Sequence, residues 1–177
     1  MKTTPKMTIW FVMTAVALAL VAGATGRSAA HDDDDGRGRV PVGSWRATVS
    51  ISNPPGAPPL DSLMTFVPGG GLVEARRLYV TQFPGGPVVE SPGHGAWQSA
   101  GHGRYEVTFQ FLFQAGPDHP LAGEILGTDK IRWRATLNRQ TGELEGPWTS
   151  QITDPAGAVL FQAEGTIRAR RLVVEPL

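Results

Sequence analysis

Apolar and polar residues alternate with a period of two through most of this chain, and that pattern limits what it can fold into. "KIRWRATL" (130–137) sets Ile131, Trp133, Ala135 and Leu137 on one side and Lys130, Arg132, Arg134 and Thr136 on the other. "SWRATVSIS" does the same with Trp45, Ala47, Val49 and Ile51, and "YEVTFQFLF" with Tyr105, Val107, Phe109, Phe111 and Phe113. "LEGPWTSQI" aligns Leu144, Gly146, Trp148, Ser150 and Ile152, and "VLFQAEGTIRA" aligns Val159, Phe161, Ala163, Gly165, Ile167 and Ala169. Successive side chains on a strand point to opposite faces, whereas a helix returns to the same face every 3.6 residues. The pattern therefore predicts strands with one dry and one wet face, as in antiparallel sheet.

Turn residues divide the chain into eight such segments, at 43–52, 60–67, 71–80, 95–100, 104–114, 124–138, 143–153 and 158–172. No connection is long enough to be a crossover helix. Eight consecutive antiparallel strands suit an up-and-down barrel, whose closure removes the exposed sheet edges. A two-sheet sandwich is the rival, because strand number does not separate the two. "PGGG", "GHG" and "RQTG" are tight turns, while "NPPGAPP", "TQFPGGPVVESPG" and "AGPDHPLA" are long. Alternate connections of an up-and-down barrel share an end, so the tight turns gather at a closed end and the long loops at a mouth.

The N-terminal region reads differently. Lys2 and Lys6 precede "MTIWFVMTAVALALVAGA", an uncharged apolar run, and Ala22-Gly23-Ala24 and Ser28-Ala29-Ala30 are small-residue cleavage signals. Residues 1–30 are expected to be a secretory signal peptide, leaving no stable membrane anchor after cleavage. "HDDDDGRGR" (31–39) has no apolar residue to bury and reads as a disordered tether, so the barrel domain is expected over 40–177. A secreted or periplasmic location follows from the leader. From Gly38 onward twelve basic residues meet twelve acidic ones, which argues against a nucleic-acid partner. The chain has no Cys, so core packing without disulfides must hold an exported fold.

Two of the four histidines lie in Gly-His-Gly triplets, at 93–95 and 101–103. A hairpin turn at 101–103 pairs Trp97 with Val107 and places His94 near Gln110. Eight residues of extended chain separate the histidines by about 26 Å, at ~3.3 Å per residue, which rules out a shared metal ion. His102 is expected to be a turn residue. His94 is expected at the mouth, where Asp118, His119 and Asp154 could converge with it on a ligand. No motif of metal, nucleotide or cofactor binding is present, and no nucleophile elbow. The expected ligand surface is the apolar lining: Phe109, Phe111, Trp133, Trp148 and Phe161 all fall on inward phases. Small residues on the same phases, Ala135, Gly146, Ser150, Ala163 and Gly165, suggest room among these rings.

The residues also carry a family resemblance. "GSW" (43–45) opens the first strand, and "TIRARRL" (166–172) closes the last. "LMTFVPGGG", "SPGHGAW" and "DPAG" lie between them. The region 43–172 resembles small secreted bacterial lipocalin-like (calycin) barrels. The resemblance implies a lipocalin-like barrel in which an Arg from the last strand lies over the indole of Trp45 and seals the closed end. Arg168, Arg170 and Arg171 are the candidates for that Arg. The chain departs from classical lipocalins in having neither a disulfide nor the second and third lipocalin motifs.

Three functions are compatible with these observations. The first is a secreted barrel that binds a small hydrophobic molecule, such as a fatty acid or polyketide-like metabolite, without a cofactor. The second is a cofactor-independent cyclase or isomerase acting on a small apolar substrate in the same cavity, as allene oxide cyclase-like barrels do. Its candidate residues are His94, Tyr79 and Glu90. The third is an interaction module that uses its Pro-rich loops. A buried carboxylate or histidine inside the barrel would favour the second.

Overall fold

The computed structural model describes residues 41–77, 79–80, 86–173 and 175. The expected leader and tether, residues 1–39, lie outside the described residues. Ten strand segments are present among the described residues: β1 (Gly43–Asn53), β2 (Leu60–Phe66), β3 (Gly71–Arg76), β4 (Tyr79–Val80), β5 (Val88–Glu90), β6 (Gly93–Gly101), β7 (Arg104–Ala115), β8 (Ile125–Leu137), β9 (Leu144–Thr153) and β10 (Val159–Arg171). Eight of them close a ring in the order β1-β2-β3-β6-β7-β8-β9-β10, with β10 pairing back to β1 and every pairing antiparallel. The protein is a closed up-and-down barrel, and the sandwich alternative does not hold.

The short segments β4 and β5 correct the expected long connection at 81–93. Val88–Glu90 pairs with the end of β7 (Val88↔Ala115, Glu90↔Phe113), and Tyr79–Val80 pairs with β5 in turn. Strand pairing therefore resumes on the far side of Ser91-Pro92 instead of giving way to a loop. The interruption is a bulge stitched to β7: the Ser91 amide donates to the Leu112 carbonyl at 3.0 Å, and the Leu112 amide donates to Ser91 Oγ at 2.9 Å. Proline cannot donate to a ladder, and a bulge is where a sheet tolerates it.

The tight connections β2–β3, β6–β7 and β8–β9 share one end with Gly43 and Arg171, and the connections after β1, β7 and β9 share the other. Gly101, His102 and Gly103 all have positive φ (76°, 56° and 74°), so the β6–β7 turn uses the conformation that its two glycines permit. At this base the interior is aromatic. Phe66 meets Trp45, Trp97 and Trp133 with ring centroids 6.4, 6.2 and 6.4 Å away, and Trp97 meets Tyr105 at 6.1 Å. Edge-to-face pairs of this kind add to the burial of the rings themselves. Among the described residues each indole N–H has a carbonyl acceptor: Trp45 to Pro41, Trp97 to Val67, Trp133 to Gly146 and Trp148 to Ser50.

The base is sealed by one of the three arginines. Arg171 lies with Cζ 4.6 Å from the Trp45 ring centroid, and its Nη1 donates to the Val42 carbonyl at 2.6 Å. Arg168 and Arg170 point outward and pair with Glu145 at 3.0 Å and Glu143 at 2.6 Å. Strand parity decides this: Ala169 and Ile167 fill the interior, so 168 and 170 face solvent. Arg171 reaches the indole from the strand end, directly opposite Trp45 in the β1–β10 register.

The inward glycines have a different role from the one expected. A Cβ at Gly146 would collide with the Arg134 carbonyl, at Gly165 with the Ser50 carbonyl, and at Gly95 with the Thr108 carbonyl. These glycines let neighbouring backbones approach where the barrel wall bends, and aromatic rings cover them: Trp148 lies beside Gly165 and Phe109 beside Gly95. The space that the small residues leave is thus taken up by the indoles and phenyl rings, and the base of the barrel is packed.

Candidate ligand site inside the barrel

A polar layer lies on the loop side of this aromatic base. Ser62 precedes Met64 and Phe66 on β2, Glu74 and Arg76 follow Leu72 on β3, Asp129 precedes Ile131 and Trp133 on β8, and Ser150 follows Trp148 on β9. All lie on the inward phase of their strands, and Glu90 joins them from β5. Ser62, Glu74, Glu90, Asp129 and Ser150 are buried. Buried charges are uncommon unless paired, because removing an ion from water is costly.

Most of these groups are paired. Arg76 Nε donates to Glu90 Oε2 at 2.8 Å, and Arg76 Nη2 reaches Glu90 Oε1 at 3.4 Å and Asp129 Oδ2 at 3.5 Å. The guanidinium also lies 4.1 Å from the Phe111 ring centroid. Ser150 Oγ donates to Asp129 Oδ1 at 2.5 Å, and Ser62 Oγ donates to Glu74 Oε1. Glu74 Oε2 has no hydrogen-bond partner, in a residue only 1% exposed. It faces Gly93, where a Cβ would stand 3.2 Å from that oxygen and 2.7 Å from the Phe111 ring.

Burial pushes the Glu74 carboxyl up to about 7, against the downward pull of Arg76 and Ser62 and with a further upward push from the Glu90 and Asp129 charges. Burial also raises Glu90, which Arg76 opposes, and raises Asp129, which Ser150 and Arg76 oppose. Three carboxyls share one guanidinium, so the layer holds excess negative charge, and desolvation keeps the carboxyl with the fewest partners protonated up to near-neutral pH.

The residues singled out from the sequence separate into groups. Phe109, Phe111, Trp133 and Trp148 are buried in the interior, and Glu90 is part of the polar layer. Phe161 remains 45% exposed on the loop side of β10. It lies near the loop-side start of β10, where Val159–Gln162 are all exposed, so it stands at the rim and does not line the core. His94 is a correction. It pairs with Gln110 as expected, but Gly93 and Gly95 take the inward positions and His94 is exposed on the outer wall. The parity counted back from Trp97 requires this. Tyr79 pairs with Val89 in β4, and its side chain lies outside the described residues.

The expected convergence of loop residues around His94 does not form. His119 is buried against Gly86, and its Nδ1 accepts the Leu121 amide at 3.0 Å. Asp154 caps its own turn by accepting the Ala158 amide at 2.8 Å. Both serve local loop structure. Comparison with protein-family models, with curated proteins and with solved structures finds no match to this chain.

Proposed function

We propose that this protein is exported and binds a small, largely apolar molecule with a polar end in the loop-side part of its barrel. The closed eight-stranded barrel is compatible with such a role, and its base is already filled, which directs a ligand toward the polar layer. The observation that carries the reading is Glu74 Oε2: a buried, unpartnered oxygen is costly, and a ligand or bound water would satisfy it. Phe111 supplies apolar wall beside it. The apolar leader and the lipocalin-like pattern support export and kinship with secreted bacterial barrels. Titration with 1-decanol, followed by intrinsic Trp fluorescence and native mass spectrometry, tests binding. One saturable site is expected, lost in Ala163→Trp, which fills the interior. No saturable binding, or binding indifferent to that substitution, overturns the proposal.

The same carboxyl supports a second reading, a cofactor-independent cyclase or isomerase. A buried Glu that titrates at about 7 can take and return a proton at neutral pH. In that reading Glu74 replaces His94 as the acid–base group. Glu74→Gln would then abolish turnover while leaving the urea unfolding transition cooperative.

A further inference from the structure

We infer that the polar end of the ligand is a cationic amine, held by Glu74 from within the barrel; this rests on the binding role proposed above. Glu74 from β3, Glu90 from β5 and Asp129 from β8 face one another around Arg76, the base of this polar layer. Arg76 is committed: it spans Glu90 and Asp129 and rests on Phe111. A carboxylate ligand would therefore enter a layer with surplus negative charge and find its cation engaged.

Hydrogen bonding points the same way. Ser62 already donates to Glu74 Oε1, and Ser150 to Asp129 Oδ1. Above about pH 7, where Glu74 is ionised, the position left open is an acceptor, Glu74 Oε2, inside a residue that is 1% exposed. An ionised carboxylate accepts only, so its missing partner is a donor. A hydroxyl supplies one such donor without charge. An ammonium supplies up to three and neutralises the carboxylate, giving the shorter and stronger charge-assisted bond. Close packing of Gly93 against Phe111 and Glu74 keeps this oxygen away from bulk water, where the attraction would be screened. Phe111 then offers apolar surface to the remainder of the molecule.

Amine binding is linked to pH through the groups that face Glu74: Arg76 on its own strand, Ser62 on β2, Glu90 on β5 and Asp129 on β8. Binding of a cation requires the ionised form of Glu74, so affinity rises with pH through neutrality.

The test compares decylamine, 1-decanol and decanoate, three ligands with the same chain and different ends, by calorimetry on the intact protein at pH 8 and pH 5.5. At pH 8 decylamine is expected to bind at least about tenfold more tightly than decanol, with decanoate weakest. At pH 5.5 the amine preference shrinks. Glu74→Gln keeps the side-chain shape and should lose the amine preference, and its urea unfolding transition verifies that it folds. Decanol binding without an amine preference, or a preference that survives in Glu74→Gln, overturns this inference and leaves the binding role standing. Failure of all three ligands to bind overturns both.

Discussion

Arg171 lies over the indole of Trp45 with Cζ 4.6 Å from the ring centroid, and so joins the last strand to the first at the base of the barrel. The pair is reinforced at both ends, because Trp45 Nε1 donates to the Pro41 carbonyl at 2.7 Å and Arg171 Nη1 to the Val42 carbonyl at 2.6 Å. Trp45→Ala removes a fully buried ring and is expected to cost roughly 3–5 kcal/mol in urea unfolding. Arg171→Ala should cost about 1–2 kcal/mol, from the cation–π contact and one hydrogen bond. Arg168→Ala and Arg170→Ala, which break exposed ion pairs, should stay within ~1 kcal/mol.

Stability should fall as pH rises from about 4.5 to about 7. Glu74 titrates at about 7 in the folded protein and near 4.5 when unfolded, so between these values the folded state holds a proton that the unfolded chain has released. The stabilisation is complete below the unfolded value and lost as pH rises through the folded one, for a loss on the order of 3 kcal/mol. Burial raises Glu90 and Asp129 as well, which acts in the same direction. Denaturant midpoints measured from pH 4.5 to 8.5 should therefore decline, and Glu74→Gln should flatten most of the decline.

Arg76 is the shared ion-pair partner of two buried carboxylates, and its removal leaves them without a counter-charge. Arg76→Leu is expected to destabilise by about 3–5 kcal/mol at pH 8. The penalty should shrink at low pH, where Glu90 and Asp129 take up protons. Adding Glu90→Gln and Asp129→Asn to Arg76→Leu should recover most of the loss at pH 8.

The two Gly-His-Gly triplets should respond differently to substitution. His94 is exposed on the outer wall, so His94→Ala is expected to change stability by less than ~0.5 kcal/mol and leave ligand binding intact. His102 has φ 56°, so His102→Gly should be neutral or slightly stabilising, and His102→Val should cost roughly 1–2 kcal/mol. Thermal and urea unfolding of these variants distinguish the two positions.

The barrel was legible because β1, β7, β8, β9 and β10 each show long, unambiguous alternation, and because short connections allow only neighbouring antiparallel pairs. The β6–β7 register followed from the turn at 101–103 alone. The polar layer was harder to read. On β3, "GLVEAR" offers Val73 and Ala75 as an apolar face as readily as Leu72, yet Val73 is 41% exposed and Glu74 and Arg76 turn inward. Pairing across the interior decides this, and no local pattern encodes it. Asp129 could have been found, since it continues the inward phase of Ile131, Trp133 and Ala135. The bulge at Ser91-Pro92 changes the strand phase and hides the inward position of Glu90. The glycines beside His94 suggest a strand start at the mouth, but parity with Trp97 places its side chain outside.

The titration of the Glu74 side-chain carboxyl tests the account most directly. Carbon-detected NMR of selectively labelled protein, with Glu74→Gln to assign the resonance, reads it alone and with saturating decylamine. The account predicts a midpoint near 7 in the free protein, and a midpoint at least one pH unit lower with the amine bound. A midpoint near 4.5 in the free protein, or one that the amine leaves unmoved, would contradict it.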